Sequence, residues 1–115
     1  MLGTLAIDLK PLSCGKRKPV FVLTSKQTFS GGEELAYDIQ SFKRGLILGE
    51  VTGGGPNPGG VVSLSHHFIA FIPTRRPVNP VTGGYWEGVE VKPNVPAPAD
   101  QALVTAERLA IDRLR

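Results

Sequence analysis

PVFVLTSKQTFSGGEELAYDIQSF, residues 19–42, changes its periodicity half-way along, and that change decides the fold. Residues 19–25, PVFVLTS, form a short apolar run rich in β-branched and aromatic side chains, the composition of a strand covered on both faces. From Phe29 onward Leu35, Ile39 and Phe42 recur at steps of four and three, which is one face of an α-helix. Ser30 stands at the junction. A serine there faces the positive end of the helix dipole and a set of unpaired N–H groups, which is where an enzyme keeps a nucleophile. The same residue followed by Glu33 is also S-x-x-E, the capping box that starts ordinary helices, and the local pattern leaves both readings open. Gly31 and Gly32 each cost about 0.5–1 kcal/mol relative to alanine inside a helix, so this site favours backbone without side chains.

Downstream, Lys43-Arg44-Gly45 supplies two cations and a glycine where a helix C-terminus favours them, so the helix is expected to end near Arg44. The apolar run LILGEV, residues 46–51, follows at once. Strand, helix and strand with tight connections imply a βαβ unit with a parallel pair and a right-handed crossover. The loop TGGGPNPGG, residues 52–60, holds five glycines and two prolines, which excludes regular structure. It lacks the lysine and hydroxyl of a phosphate loop, leaving a mobile hairpin connection or a flap lining a site. Val61–Ser65 and Phe68–Pro73 read as a β-hairpin around His66 and His67, and adjacent histidines on a strand point to opposite faces, so no metal site is expected. Residues 74–98 are proline-rich and irregular, with Trp86 and Tyr85 as packing residues and Glu87 and Glu90 as loop carboxylates. From Asp100, apolar positions at Leu103, Ala106, Ala110 and Leu114 mark an amphipathic helix. The 18 residues at the start read as a strand or loose arm with a basic second half.

At 115 residues the chain is the size of one domain. Its 41% hydrophobic and 20% charged content is that of a globular protein rather than a disordered one. The net charge of +3 falls on no basic helix face and has no interleaved aromatics, so no nucleic-acid partner is expected. The lone Cys14 forms neither an internal disulfide nor a thiolate metal site. No apolar run approaches the roughly 20 residues that span a bilayer, and residues 1–10 lack the pattern of a signal peptide, so the chain reads as soluble.

The blocks KPVFVLTS (18–25), TFSGGEELAYD (28–38), LGEVTGGG (48–55) and NPVTGGYWEGVEVKPNVPAPADQAL (79–103) resemble, in order and spacing, the C-terminal processing or tail-specific serine peptidases. Within them the chain is similar to the branch of interphotoreceptor retinoid-binding protein and tricorn protease. The resemblance implies an α/β fold of the Clp-protease/crotonase type, built from ββα units, with residues 18–115 as the C-terminal part of the catalytic domain and residues 1–17 as a non-matching arm. It implies Ser30 as nucleophile, the Gly31 N–H as an oxyanion donor, Gly53, Gly54 and Gly55 as substrate-binding, and Glu87 as the carboxylate that orients a base. It implies a peptide or protein substrate, no cofactor, and relatives that are often periplasmic or secreted. Tail-specific members close the glycine loop with a lysine base, but here Gly55 stands in that place, so a histidine upstream of residue 1 is expected instead. A partial domain leaves sheet surface uncovered, so a homo-oligomer is expected. The alternatives are a non-catalytic module of the same fold that binds an apolar ligand or peptide, and a structural oligomerisation domain whose serine is only a cap.

Overall fold

The computed structural model describes residues 3–6, 18–55, 57–86 and 88–114. In chain order the elements are β1 (Gly3–Ala6), β2 (Phe21–Thr24), α1 (Gly31–Ser41), β3 (Leu46–Gly49), β4 (Gly59–Ser65), β5 (Phe68–Pro73), β6 (Arg75–Val78), β7 (Val95–Pro96) and α2 (Ala99–Leu114). The fold is α/β, as the change of period indicates. β2 and β3 run parallel, Phe21 opposite Leu46 through Thr24 opposite Gly49, with α1 between them in sequence. β3 continues the sheet to β7 through Leu48–Val95 and Gly49–Pro96, giving the order β2-β3-β7.

A helix covers each face of this small sheet, because successive strand residues point to opposite sides. On one side Ile47 joins Ala36 of α1, Trp86 and Val91 in the core cluster, with Val22, Tyr37, Ile39 and Tyr85 packed around it. On the other side α2 packs on β2 and β3, with Ala102 and Ala106 buried. Phe21 and Leu23, one residue out of step with Val22, line a groove of about 220 Å³ against Leu103, Ala106 and Ala110 of α2.

Helix α1 departs from the face expected of it. On α1 the buried positions are Glu33, Ala36 and Asp38, while Leu35 is 53% exposed. The reason is polar pairing: Asn79 Nδ2 donates to Asp38 Oδ1 at 2.6 Å, and Glu33 is satisfied by the glycine loop described below. On α2 the expected positions Leu103, Ala106 and Ala110 face β2 across the groove, with Ala106 and the unpredicted Ala102 buried and Leu103 exposed at its edge. Helix α1 also stops at Ser41 rather than near Arg44. Lys43, not Gly45, takes the left-handed turn, with φ 52°, and Arg44 N closes it on Ile39 O at 2.9 Å.

β4 and β5 form the expected antiparallel hairpin, with an irregularity between Ser63 and Ser65, and His66 and His67 occupy its turn rather than a strand. The proline-rich segment contains two strands that composition did not reveal: β7, the third strand of the sheet above, and β6, which pairs in parallel with β1, Gly3 opposite Arg75 through Ala6 opposite Val78. No described helix is long and apolar enough to cross a membrane.

Candidate active site

Ser30 is the last residue before α1, reached from β2 by a compact turn in which Thr28 N donates to Ser25 O and Ser25 N to Thr28 Oγ1, both at 2.9 Å. Its backbone lies at φ 52°, ψ −119°, a region that glycine favours and that costs another residue about 1–3 kcal/mol. The side chain is exposed. Gly32 N donates to Phe29 O, and Glu33 N and Glu34 N both donate to Ser30 O, whereas among the described residues no acceptor takes the Gly31 N–H. A Cβ placed on Gly31 meets nothing within 4 Å. The junction therefore presents a hydroxyl and a free first-turn N–H side by side on an open surface.

Glu33 ties this junction to the glycine loop. Its carboxylate is fully buried and accepts from Ser30 N at 2.9 Å and Gly54 N at 2.7 Å, and also from Gly55 N. Burial alone pushes the Glu33 carboxyl up. Hydrogen bonding from the Thr52 hydroxyl and from the Gly55, Gly54 and Ser30 amides outweighs it and holds the group below the ordinary carboxylate range. The loop is pinned further by Gly53 N to Thr28 O at 2.9 Å, Thr52 N to Val91 O at 3.2 Å and Val91 N to Thr52 Oγ1 at 2.9 Å. The reading of this loop as a mobile hairpin connection is thus corrected for residues 52–55, because its amides have partners in α1 and in the segment after Trp86.

Position 55 has no room for a side chain. A Cβ there lies 2.7 Å from both Ser30 N and Glu33 Oε2. Gly54 takes φ 76° and lies against the Glu90 side chain, which approaches a Cβ built on it to 3.3 Å. Ser30, Gly31 and Gly53–Gly55 are therefore brought together. Glu87 lies outside the described residues; its neighbour Trp86 is buried, and Val89 N donates to Trp86 O. His66 and His67 are exposed, their ring centroids 6.4 Å apart, at the end of a strand that carries them roughly 20 Å from Gly59. No described lysine or histidine side chain is hydrogen-bonded to Ser30, and no described group of three His, Cys, Asp or Glu gathers where it could hold a metal ion.

A second carboxyl cluster lies on α1. Burial raises Glu34, whose Oε1 is buried with no hydrogen-bond partner among the described residues, and the neighbouring Asp38 charge raises it further. Burial raises Asp38 as well, opposed by the Asn79 bond. Asn79 went unnoticed in the sequence; its Oδ1 accepts from Val81 N and Thr82 N, fixing the turn that leads toward Trp86.

The sequence profile of peptidase family S41 matches residues 6–97. The chain belongs to that family. Among solved structures, the photosystem II D1 C-terminal processing protease is 33% identical, with a TM-score of 0.59 over 71% of this chain and 21% of its own. Mature CPAF complexed with lactacystin is 20% identical, with a TM-score of 0.60 over 85% of this chain and 20% of its own, a likeness of fold. The chain thus spans about a fifth of the length of each of these two structures.

Proposed function

We propose that this S41 chain carries the nucleophile half of a serine-type peptidase site, as the C-terminal part, residues 18–115, of a catalytic domain. The observation that carries the reading is Ser30 in its strained left-handed conformation beside the free Gly31 N–H. In this mechanism Ser30 Oγ attacks the carbonyl carbon of an extended peptide while its proton passes to a base. The oxygen gains negative charge opposite Gly31 N–H, the C–N bond then breaks as the amine takes a proton, and water releases the acyl group from Ser30. Gly53–Gly55 line the peptide. Glu87 orients the base, which comes from outside the described residues.

The reading is supported by the family match and by the bonds from Thr52 to Val91, which bring the segment after Trp86 against the glycine loop. A second reading, a non-catalytic module for an apolar ligand, is favoured by the groove between β2 and α2. That groove holds about 220 Å³, below the roughly 300 Å³ at which ligand pockets begin, so it ranks second. A fluorophosphonate probe separates the two. Labelling of the chain, or of a form extended upstream, that Ser30→Ala abolishes is the expected result. Absence of labelling in both forms refutes the peptidase reading.

A further inference from the structure

A buried carboxylate that receives three backbone N–H groups from two segments is more than a helix cap. Oε2 serves the Ser30 amide and Oε1 the Gly54 amide, while the consecutive Gly54 and Gly55 amides form a concave pair of donors of the kind that binds anions. Here the anion comes from the chain itself. Glu33 makes no ion pair among the described residues, so its charge is balanced by these donors and by the Thr52 hydroxyl. Ser30 and Gly54 both hold positive φ, at 52° and 76°, and each is held by one of these bonds.

We propose that Glu33 is the positioning residue of the site: its carboxylate locks the glycine loop and the left-handed backbone of Ser30 into one unit, so neither reaches working geometry without the other. The catalytic consequence rests on the reading of Ser30 as nucleophile; the lock itself does not. Glutamine fills the same volume but turns an NH2 group toward one of the amides it must accept from, and aspartate is one methylene short of the loop. A misplacement of the order of 1 Å at a reacting group is enough to cost roughly a hundredfold in rate.

The test compares wild type with Glu33→Gln by amide hydrogen exchange. Exchange at Gly54 and Gly55 should rise about tenfold or more, with the Ile47 and Leu48 amides of β3 nearly unchanged as the internal reference. Unchanged exchange at the two glycines overturns the proposal. In whichever form of the protein the fluorophosphonate labels Ser30, the same variant should slow labelling roughly ten- to a hundredfold, and an unchanged rate also overturns it. If wild type is not labelled in any form, the nucleophile reading fails and the exchange result still decides the lock. Should the variant not fold, wild type alone gives the answer through the acid titration of its amide resonances. Ser30, Gly54 and Gly55 should move with one midpoint, and separate midpoints refute the lock. The other carboxyls facing this region are Glu34 on α1, whose burial puts its titration above that of Glu33, and Glu90 beside Gly54, which Glu90→Gln removes.

Discussion

At the scale of single residues, Gly55 and Glu33 share one small volume, and each limits what the other position accepts. A methyl group at 55 lies 2.7 Å from a backbone nitrogen and 3.1 Å from Ser30 Cα, so the backbone itself must yield. Gly55→Ala should therefore cost about 1–3 kcal/mol, read as a lowered urea midpoint, and a neutral result would show that the loop relaxes freely. Gly55→Lys meets the same backbone. It should lower stability equally and leave Ser30 labelling no faster, although a lysine is what tail-specific relatives carry there. The pH dependence follows from the direction of the shifts. Folding lowers the Glu33 pKa, so its contribution is present above 4.5, the unfolded value, and is lost as pH falls through the lower folded value. Glu34 and Asp38 act in the opposite sense, since raised folded values mean that their penalty shrinks as pH drops from neutral. Urea midpoints taken from pH 6 to pH 3 should fall more steeply below about pH 4.5 in wild type than in Glu33→Gln. Parallel acid limbs would show that Glu33 is not the group lost.

At the scale of elements, helix α1 separates what local pattern fixes from what distant partners fix. The change of period at Phe29 and the glycine loop are local, so the order β2-α1-β3 and the position of Ser30 are legible in residues 19–51. The buried face of α1 is not, because Glu33 and Asp38 find their partners 21, 22 and 41 residues away, and an apolar stripe counts no such bonds. The same holds for the pairing of β1 with β6, whose paired residues lie 72 positions apart in the sequence. Ser30 was legible as a candidate because a strand-to-helix junction is a local feature. Glu33 was legible only as a cap, since its second role depends on a loop that the sequence alone does not bring near. Mutation checks the assignment of faces. Leu35→Ala, at a 53% exposed position, should change stability by no more than about 0.5 kcal/mol, whereas Ala36→Leu, at a fully buried one, should cost about 1–3 kcal/mol. Similar costs for the two would restore the apolar stripe as the buried face. Lys43 tests the helix end: with φ 52° it occupies a position glycine fills without strain, so Lys43→Gly should stabilise by a few tenths to about 1 kcal/mol.

At the scale of the whole molecule, the chain is more extended than its length requires. Its radius of gyration is 16.9 Å and its extents are 62 × 32 × 20 Å, against a radius of about 13 Å for a compact domain of this size. The β4–β5 hairpin is the part left uncovered. Every residue of β4 is exposed, and Val61, Leu64, Phe68 and Ile69 are each more than 60% exposed. Apolar side chains stand on both of its faces, since Val61 and Val62 are consecutive and point to opposite sides. A lone two-stranded hairpin is marginally stable in water, and free strand edges flanked by apolar surface are templates for pairing. We therefore propose that the isolated chain self-associates through this hairpin, and sedimentation at micromolar concentration should show a dimer or larger species. Val61 and Phe71 face each other across the two strands, at 66% and 49% exposure. The double substitution Val61→Lys with Phe71→Glu replaces their apolar surface with an opposite-charge pair that the hairpin tolerates. It should shift the chain toward monomer with little loss in urea midpoint, because neither side chain is buried within one copy. A wild-type chain that stays monomeric, or an assembly that the double variant leaves intact, would remove the hairpin as the contact.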